Sequence, residues 1–187
     1  GGKSLLVAVD GNTGQTMWET PNLRGWKMSH ASIVKAEIDG TPMYIYFAIG
    51  GICGVGASGT EAGKLLWESD TFAPSVVAPT PVVLSEGRIL LTAGYGAGTA
   101  LIHVSRSGRE WKATMVHQFN PREGIASEQQ TPLFYKGAVF SVLPKDAGGA
   151  RNQFVAVSPS DVSEITVTSG KTERFGLVPY LDRKSVV

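Results

Sequence analysis

The sequence predicts an all-β chain, a segment of a β-propeller with about three to four four-stranded antiparallel blades. Three observations predict this class. Strand-turn-strand units recur about every 50 residues, which is the spacing of propeller blades. The chain contains 23 glycines and 10 prolines, which indicates many tight turns. No window shows a sustained helical period with caps.

The first repeated unit is a strand, a turn and a second strand that ends in tryptophan. It reads Val-Ala-Val-Asp-Gly-Asn-Thr-Gly-Gln-Thr-Met-Trp at 7–18, and it recurs with Trp67 as the final residue. Weaker copies that lack the final tryptophan cover 102–119 and 155–169. Because the repeat phase places Trp18 and Trp67 at blade junctions, we predict that both are structural and pack on the next blade.

A second marker opens each unit and repeats in phase with the first. Its copies begin at Ala31, Thr80, Thr131 and Val178. Each copy opens a short apolar strand, where proline loses little hydrogen bonding. Residues 1–181 are therefore predicted to form one partial propeller domain. Its parts in order are half a blade at 5–20, blades at about 29–69, 78–119 and 129–169, and the start of a next blade at 176–181.

The chain ends in Asp-Arg-Lys-Ser-Val-Val at 182–187. These are the residues that the opening of a common sequencing adapter would encode. We therefore expect 182–187 to be a non-native tail. Because three and a half blades are too few to close a ring, we also expect the chain to be a segment of a longer protein.

Composition excludes several classes of protein. A formal net charge of +1 argues against a basic nucleic-acid-binding surface. No apolar run reaches the ~18 residues of a membrane-spanning helix. The single cysteine allows neither an internal disulfide nor a cysteine-based zinc site, and no pair of histidines has the spacing of metal ligands. We predict no metal site.

The Val-Asp-x-x-Thr-Gly-x-x-x-Trp unit ending at Trp18 resembles the tryptophan-docking repeat of pyrroloquinoline-quinone (PQQ)-type propellers. Further stretches resemble secreted bacterial PQQ-binding-like β-propeller repeat proteins, namely 25–30, 127–132, 144–148 and 170–176. The resemblance spans residues 5–180. It implies a propeller of about seven or eight blades in a protein exported to the periplasm or secreted. The repeat is specific for fold and not for function.

Polar and aromatic residues are predicted to gather on one face of the propeller. In this fold the connections between blades, and those between the second and third strands of a blade, emerge on the same face. Loops on the opposite face show ordinary turn sequences. The candidate ligand-binding residues are Trp26, Lys27, His30, Tyr95, Glu128, Gln129, Lys145, Asp146, Arg151, Asn152 and Arg174. Gln129 and its neighbour Gln130 should point to opposite sides of the sheet.

Each candidate also has a structural explanation. His30 could be a general base or a metal ligand, or a hydrogen-bonded residue at the start of a strand. Glu128 and Asp146 could form a carboxylate pair or bind Ca²⁺, or they could pair with basic residues of neighbouring loops. Trp26 could stack on a ligand ring or pack between blades.

The basic candidates have two explanations as well. Lys145, Arg151 and Arg174 could hold an anionic ligand through bidentate contacts. They could equally form salt bridges between blades. Both interpretations stay open at this point.

Three functions are compatible with these residues. We favour a non-catalytic scaffold or ligand- or protein-binding module, with an unknown small molecule, saccharide or protein as partner. The resemblance also implies an alternative, a PQQ- and Ca²⁺-dependent dehydrogenase that oxidises an alcohol or sugar. The larger dehydrogenases of this type carry an adjacent cysteine pair, an aspartate base and a Ca²⁺ site. This chain has only Cys53, so no cofactor is evident. A carbohydrate-active enzyme that uses His30 is the third.

Overall fold

The computed structural model describes residues 2–169, which contain 14 β-strands in four antiparallel sheets. We number these sheets blades 1 to 4 in chain order. Within residues 2–169, no helix is long and apolar enough to cross a membrane. Arg174, the predicted blade start at 176–181 and the tail at 182–187 lie outside the described residues.

Each blade is built from strands that pair with their neighbours in sequence. Blade 1 consists of β1 (Ser4–Val9) and β2 (Thr16–Pro21). Blade 2 consists of β3 (Val34–Ile38), β4 (Thr41–Ala48), β5 (Gly51–Gly56) and β6 (Leu65–Ser69). Blade 3 consists of β7 (Val82–Val83), β8 (Arg88–Ala93), β9 (Gly98–Ser107) and β10 (Glu110–Phe119). Blade 4 consists of β11 (Leu133–Tyr135), β12 (Ala138–Val142), β13 (Phe154–Ser158) and β14 (Asp161–Thr168).

The turn of blade 1 shows how the repeat sequence directs folding. Asp10 Oδ1 accepts hydrogen bonds from the backbone N–H groups of Asn12 and Thr13, at 3.0 and 2.8 Å. It also accepts one from the Thr13 hydroxyl, at 2.9 Å. These bonds, those from Thr13 foremost, lower the pKa of Asp10, because they favour its charged form. The Asp-x-x-Thr-Gly sequence therefore closes the hairpin by its own side chains.

The first strand of each complete blade begins a few residues inside the predicted bounds of that blade. The predicted blades open at 29, 78 and 129, whereas the first strands begin at Val34, Val82 and Leu133. In blades 3 and 4 a proline stands directly before the strand, at 81 and 132. Proline has no N–H to donate, so ladder pairing starts only after it.

The apolar core lies in three layers between successive blades. The layer between blades 1 and 2 contains Leu6, Ala48 and Cys53. The layer between blades 2 and 3 contains Met43, Phe47, Ile89 and Ile102. The layer between blades 3 and 4 contains Leu90, Leu101, Val139 and Val155. Face-to-face packing of consecutive antiparallel sheets is the arrangement of a propeller. The predicted fold class, a partial β-propeller, is confirmed.

The repeat tryptophans lie where blades meet. Trp67 is buried in the core layer between blades 2 and 3, and its indole N–H faces Met43 Sδ at 3.2 Å. The indole covers Gly54, where a β-carbon would collide with the ring. Trp18 of blade 1 covers Gly63 of blade 2 in the same way, with Tyr44 beside it. Glycine thus makes room for each indole.

Candidate functional site

The candidate residues lie on the connections between blades and between the second and third strands of a blade. We call this surface the loop face. It comprises segments 22–33, 49–50, 70–81, 94–97, 120–132 and 143–153. The contacts that hold the candidates divide them into two groups. The first group, Trp26, Lys27 and His30, lies on the connection that leads into blade 2. The second group consists of the other described candidates, on the loops of blades 3 and 4.

Trp26, in the first group, is part of the core. The residue is 8% exposed, and its indole lies over Gly50 and Gly51, where β-carbons would collide with the ring. Asn22 fixes the backbone: its Oδ1 accepts from Trp26 N–H at 2.9 Å, and its Nδ2 donates to Trp26 O at 2.8 Å. The geometry favours the packing explanation of Trp26 over stacking on a ligand.

Lys27 and His30 are exposed beside it. The backbone of Lys27 forms a two-way bridge with Ile49, with both N···O distances 3.0 Å. His30 N–H donates to Val77 O at 3.0 Å, so its backbone is tied to the next connection. Trp26, Lys27 and Tyr46 line a cleft of about 220 Å³. The main chain here is fixed while both polar side chains face solvent.

In the second group, Asp146 links two blades. Its Oδ2 accepts a hydrogen bond from the Gly96 N–H at 2.8 Å. This bond joins the β12–β13 connection of blade 4 to the β8–β9 turn of blade 3. Tyr95, in that turn, has a φ of 58° and is 71% exposed. The turn and its bond to Asp146 therefore present an aromatic ring to solvent.

The segment before blade 4 contributes one outward and two inward side chains. Glu128 is 7% exposed and lies against Gly94, where a β-carbon would collide with it. Gln130 is buried, and its Nε2 donates to Val142 O at 2.7 Å. Gln129, between them, is exposed. Glu128 and Gln130 hold the segment in place, and Gln129 faces the surface.

Two buried oxygen atoms of this group have no hydrogen-bond partner among residues 2–169. They are Gln130 Oε1 and Asp146 Oδ1, and each belongs to a side chain whose other polar atom is already bonded. A buried acceptor left without a donor costs roughly 1–3 kcal/mol. Such atoms call for a donor from water or from a ligand.

The basic residues of this group stay exposed. Lys145 and Arg151 form no ion pair within residues 2–169, so the salt bridges predicted as an alternative do not form in that part of the chain. Asn152 adopts a φ of 59°, and its N–H donates to Leu143 O at 2.8 Å. Asn152 therefore shapes the turn that presents Arg151.

The acidic residues and the cysteine considered for a calcium–quinone site have contacts of their own in the described chain. Within residues 2–169, no group of three or more His, Cys, Asp or Glu side chains could hold a metal ion. Cys53 lies in the core between blades 1 and 2, not on the loop face. Burial raises the pKa of its thiol to about 12. Asp146 already accepts a backbone hydrogen bond, and Glu128 is packed against Gly94.

Sequence reasoning missed a cleft on the opposite face. Arg106, Arg109 and Trp111 line it together with residues of the β5–β6 turn. The turns of that face have ordinary sequences, which do not indicate a binding site. A signal was present, since two arginines flank a Ser-Gly pair and a tryptophan follows two positions after the second arginine, in 106–111.

Comparisons with known proteins support the fold. No protein-family model and no curated protein matches the chain. Among solved structures, the chain is similar to BamB from Moraxella catarrhalis, with 16% sequence identity and a TM-score of 0.52. The similarity covers 87% of this chain and 45% of that one, so this chain spans less than half the length of that structure. At this identity the likeness shows the β-propeller fold alone. The resemblance to PQQ-type repeats continues to rest on the sequence motifs.

Proposed function

We propose that the chain is part of an exported propeller that acts as a non-catalytic ligand- or protein-binding module through its loop face. The support is the way in which blades 3 and 4 present that face. Backbone and buried side chains hold the loops rigidly, while Tyr95, Gln129, Lys145 and Arg151 remain exposed. A rigid scaffold that presents polar and aromatic loops together suits recognition.

The observation that carries this proposal is the turn that presents Tyr95. Asp146 Oδ2 accepts a hydrogen bond from the Gly96 N–H of this turn at 2.8 Å, across the junction between blades 3 and 4. Tyr95 is therefore 71% exposed on a turn that two blades hold in place. An exposed aromatic ring on a fixed turn offers the kind of contact area that is enriched at interfaces.

The exported location follows from the resemblance to secreted PQQ-binding-like repeat proteins. The likeness to BamB supports the same architecture at the level of the fold. Because this chain spans 45% of that structure, the partners of the complete protein remain part of the proposal.

Site-specific photo-cross-linking tests the module directly. A benzophenone amino acid replaces Tyr95 on the loop face or, as the control, Ser85 on the opposite face, in bacterial cells that export the protein. We expect position 95 to form a cross-link to a partner that mass spectrometry identifies. The purified partner should also bind the protein directly. Adducts of equal yield from both positions, or none from position 95, would overturn the proposal.

A titration with PQQ and Ca²⁺ separates the module from the dehydrogenase alternative. Quinone absorbance is followed as the protein is added, with a dye-linked assay of alcohol and sugar oxidation. The proposal expects no saturable change in absorbance. Saturable binding together with oxidation would replace it with the dehydrogenase.

A further inference from the structure

A cleft lies between blades 2 and 3, on the side away from the loop face. Its volume is about 430 Å³, within the roughly 300–1,000 Å³ of small-molecule sites. The end of the β9–β10 hairpin of blade 3 lines one side, and the β5–β6 connection with the start of β6 in blade 2 lines the other. The walls therefore come from two different blades.

Arg106 is held in place within this cleft. Its Nε donates to Gly108 O at 2.9 Å, and its NH1 group donates to Thr41 Oγ1 at 3.2 Å. Its backbone N–H donates to Asp39 Oδ2 at 2.8 Å. The guanidinium carbon lies 5.5 Å from the centre of the Trp111 ring, a cation–π contact. These bonds use two of five guanidinium donors, so a positioned fork remains for an anion.

The remaining charges of the cleft are mainly positive. Arg109 is exposed and makes no hydrogen bond or ion pair within residues 2–169. Lys64 Nζ lies 3.8 Å from Glu61 Oε1, too far for a strong bond and largely solvent-screened. The lining thus carries three cationic groups against one carboxylate. The cleft offers many donors and few acceptors, which suits an anion.

An apolar wall stands beside these donors. It consists of the partly buried side chains of Leu65, Leu66 and Trp111, which also line the cleft. A ligand that fits both halves carries an anionic group next to a ring with an apolar face. We propose that this cleft binds an acidic sugar of the uronate class, whose carboxylate meets Arg106 and Arg109 while its ring lies against the wall. The site is on the opposite face and does not depend on the function proposed above.

Calorimetric titration of the full chain with digalacturonate tests this site. The neutral disaccharide galactobiose is the ligand control. Arg109→Gln removes an exposed charge that the fold does not use, and Lys112→Gln removes a neighbouring charge that lies outside the cleft. We expect Arg109→Gln to weaken digalacturonate binding at least about tenfold, because the variant loses a charge-assisted hydrogen bond to the carboxylate. Lys112→Gln should leave it within about twofold.

Each other outcome decides against the proposal. No binding of digalacturonate, equal binding of galactobiose, or equal losses in the two variants would overturn it. Triglutamate and inorganic sulfate are added in turn as competitors of digalacturonate. If either competes as strongly as digalacturonate, the cleft recognises an acidic peptide or a simple anion instead of a sugar. Binding that is specific to the uronate and sensitive to Arg109 supports the assignment.

Discussion

The backbone N–H of Thr80 donates a hydrogen bond to Thr131 Oγ1, 2.9 Å away, across the junction between blades 3 and 4. At the preceding junction the N–H of Ser32 donates to Thr80 Oγ1 at 3.0 Å. Thr80 therefore accepts from one blade and donates to the next. The marker that opens each repeat is thus also a link between blades.

Replacing Thr131 by valine should remove the link between blades 3 and 4. Valine keeps the shape of threonine and has no acceptor, so the Thr80 N–H loses its partner. We expect the free energy of unfolding to fall by about 1 kcal/mol, measured by urea denaturation. Thr131→Ser is the matched control, since it retains the hydroxyl. If the serine variant loses as much stability as the valine variant, the methyl group and not the hydrogen bond is responsible.

A methyl group at Gly54 should disturb the packing of Trp67. A β-carbon at this position would collide with the indole, whereas one at Gly11 meets no atom within 4 Å. We expect Gly54→Ala to cost roughly 1–3 kcal/mol of stability, with Gly11→Ala within about 0.5 kcal/mol of the parent protein. Thermal unfolding of both variants provides the measurement. Similar effects in the two would show that Trp67 can shift freely.

Cys53 should be chemically silent in the folded protein. Burial raises the pKa of its thiol from 9.0 to about 12, and the thiolate is the reactive form. We expect no reaction with Ellman's reagent at pH 8 in the native state, and one equivalent in urea, matching the single cysteine. Reaction at equal rates in both states would contradict the burial of Cys53 between blades 1 and 2.

The Cys53 thiol should lower the free energy of unfolding as the pH rises above about 9. Between about pH 9 and 12 the unfolded thiol loses its proton while the folded thiol keeps it, so rising pH favours the unfolded state. This contribution to stability is complete below pH 9 and is lost as the pH rises toward 12. Cys53→Ala lacks it. We expect the urea midpoint of the parent protein to fall more steeply than that of the variant between pH 8 and 11. Parallel slopes would refute the assignment.

Removing the Asp146 carboxylate should loosen the turn that presents Tyr95. Asp146→Ala deletes the acceptor of the Gly96 N–H, so hydrogen exchange at Gly96 should accelerate about tenfold, as expected for roughly 1.4 kcal/mol of lost protection. Asp146→Asn keeps an oxygen acceptor and should exchange at close to the parent rate. Unchanged exchange in the alanine variant would mean that other contacts hold the turn.

The fold was predictable from the sequence because its signals are local and repeated. The strand-turn-strand unit, the tryptophan that ends it at 18 and 67, and the marker threonine at 80 and 131 each recur in the sequence. Each acts through neighbours in sequence or at one repeat's distance. Strand starts were less predictable. In blades 3 and 4 the first strand begins only after the prolines at 81 and 132, because proline has no N–H to donate to the neighbouring strand. The pattern of apolar residues does not reveal this effect.

The candidate site was only partly predictable. Topology places Tyr95 and Asp146 on one face, and their loops do meet. The burial of Trp26 depends on Gly50 and Gly51, which are distant in sequence from Trp26 and gave no sign of an indole partner. The cleft around Arg106 is lined by turns of two different blades, and a single repeat does not encode how its turn meets that of the next blade.

The positions of the four tryptophans decide what fluorescence can detect. Trp18 and Trp26 report on the contact between blades 1 and 2, and Trp67 and Trp111 report on the contact between blades 2 and 3. The apolar layer between blades 3 and 4 contains no indole. Emission would therefore remain native while blade 4 detaches. In a structure whose units contact only their neighbours, an optical melting curve would overstate the stability of that end of the molecule.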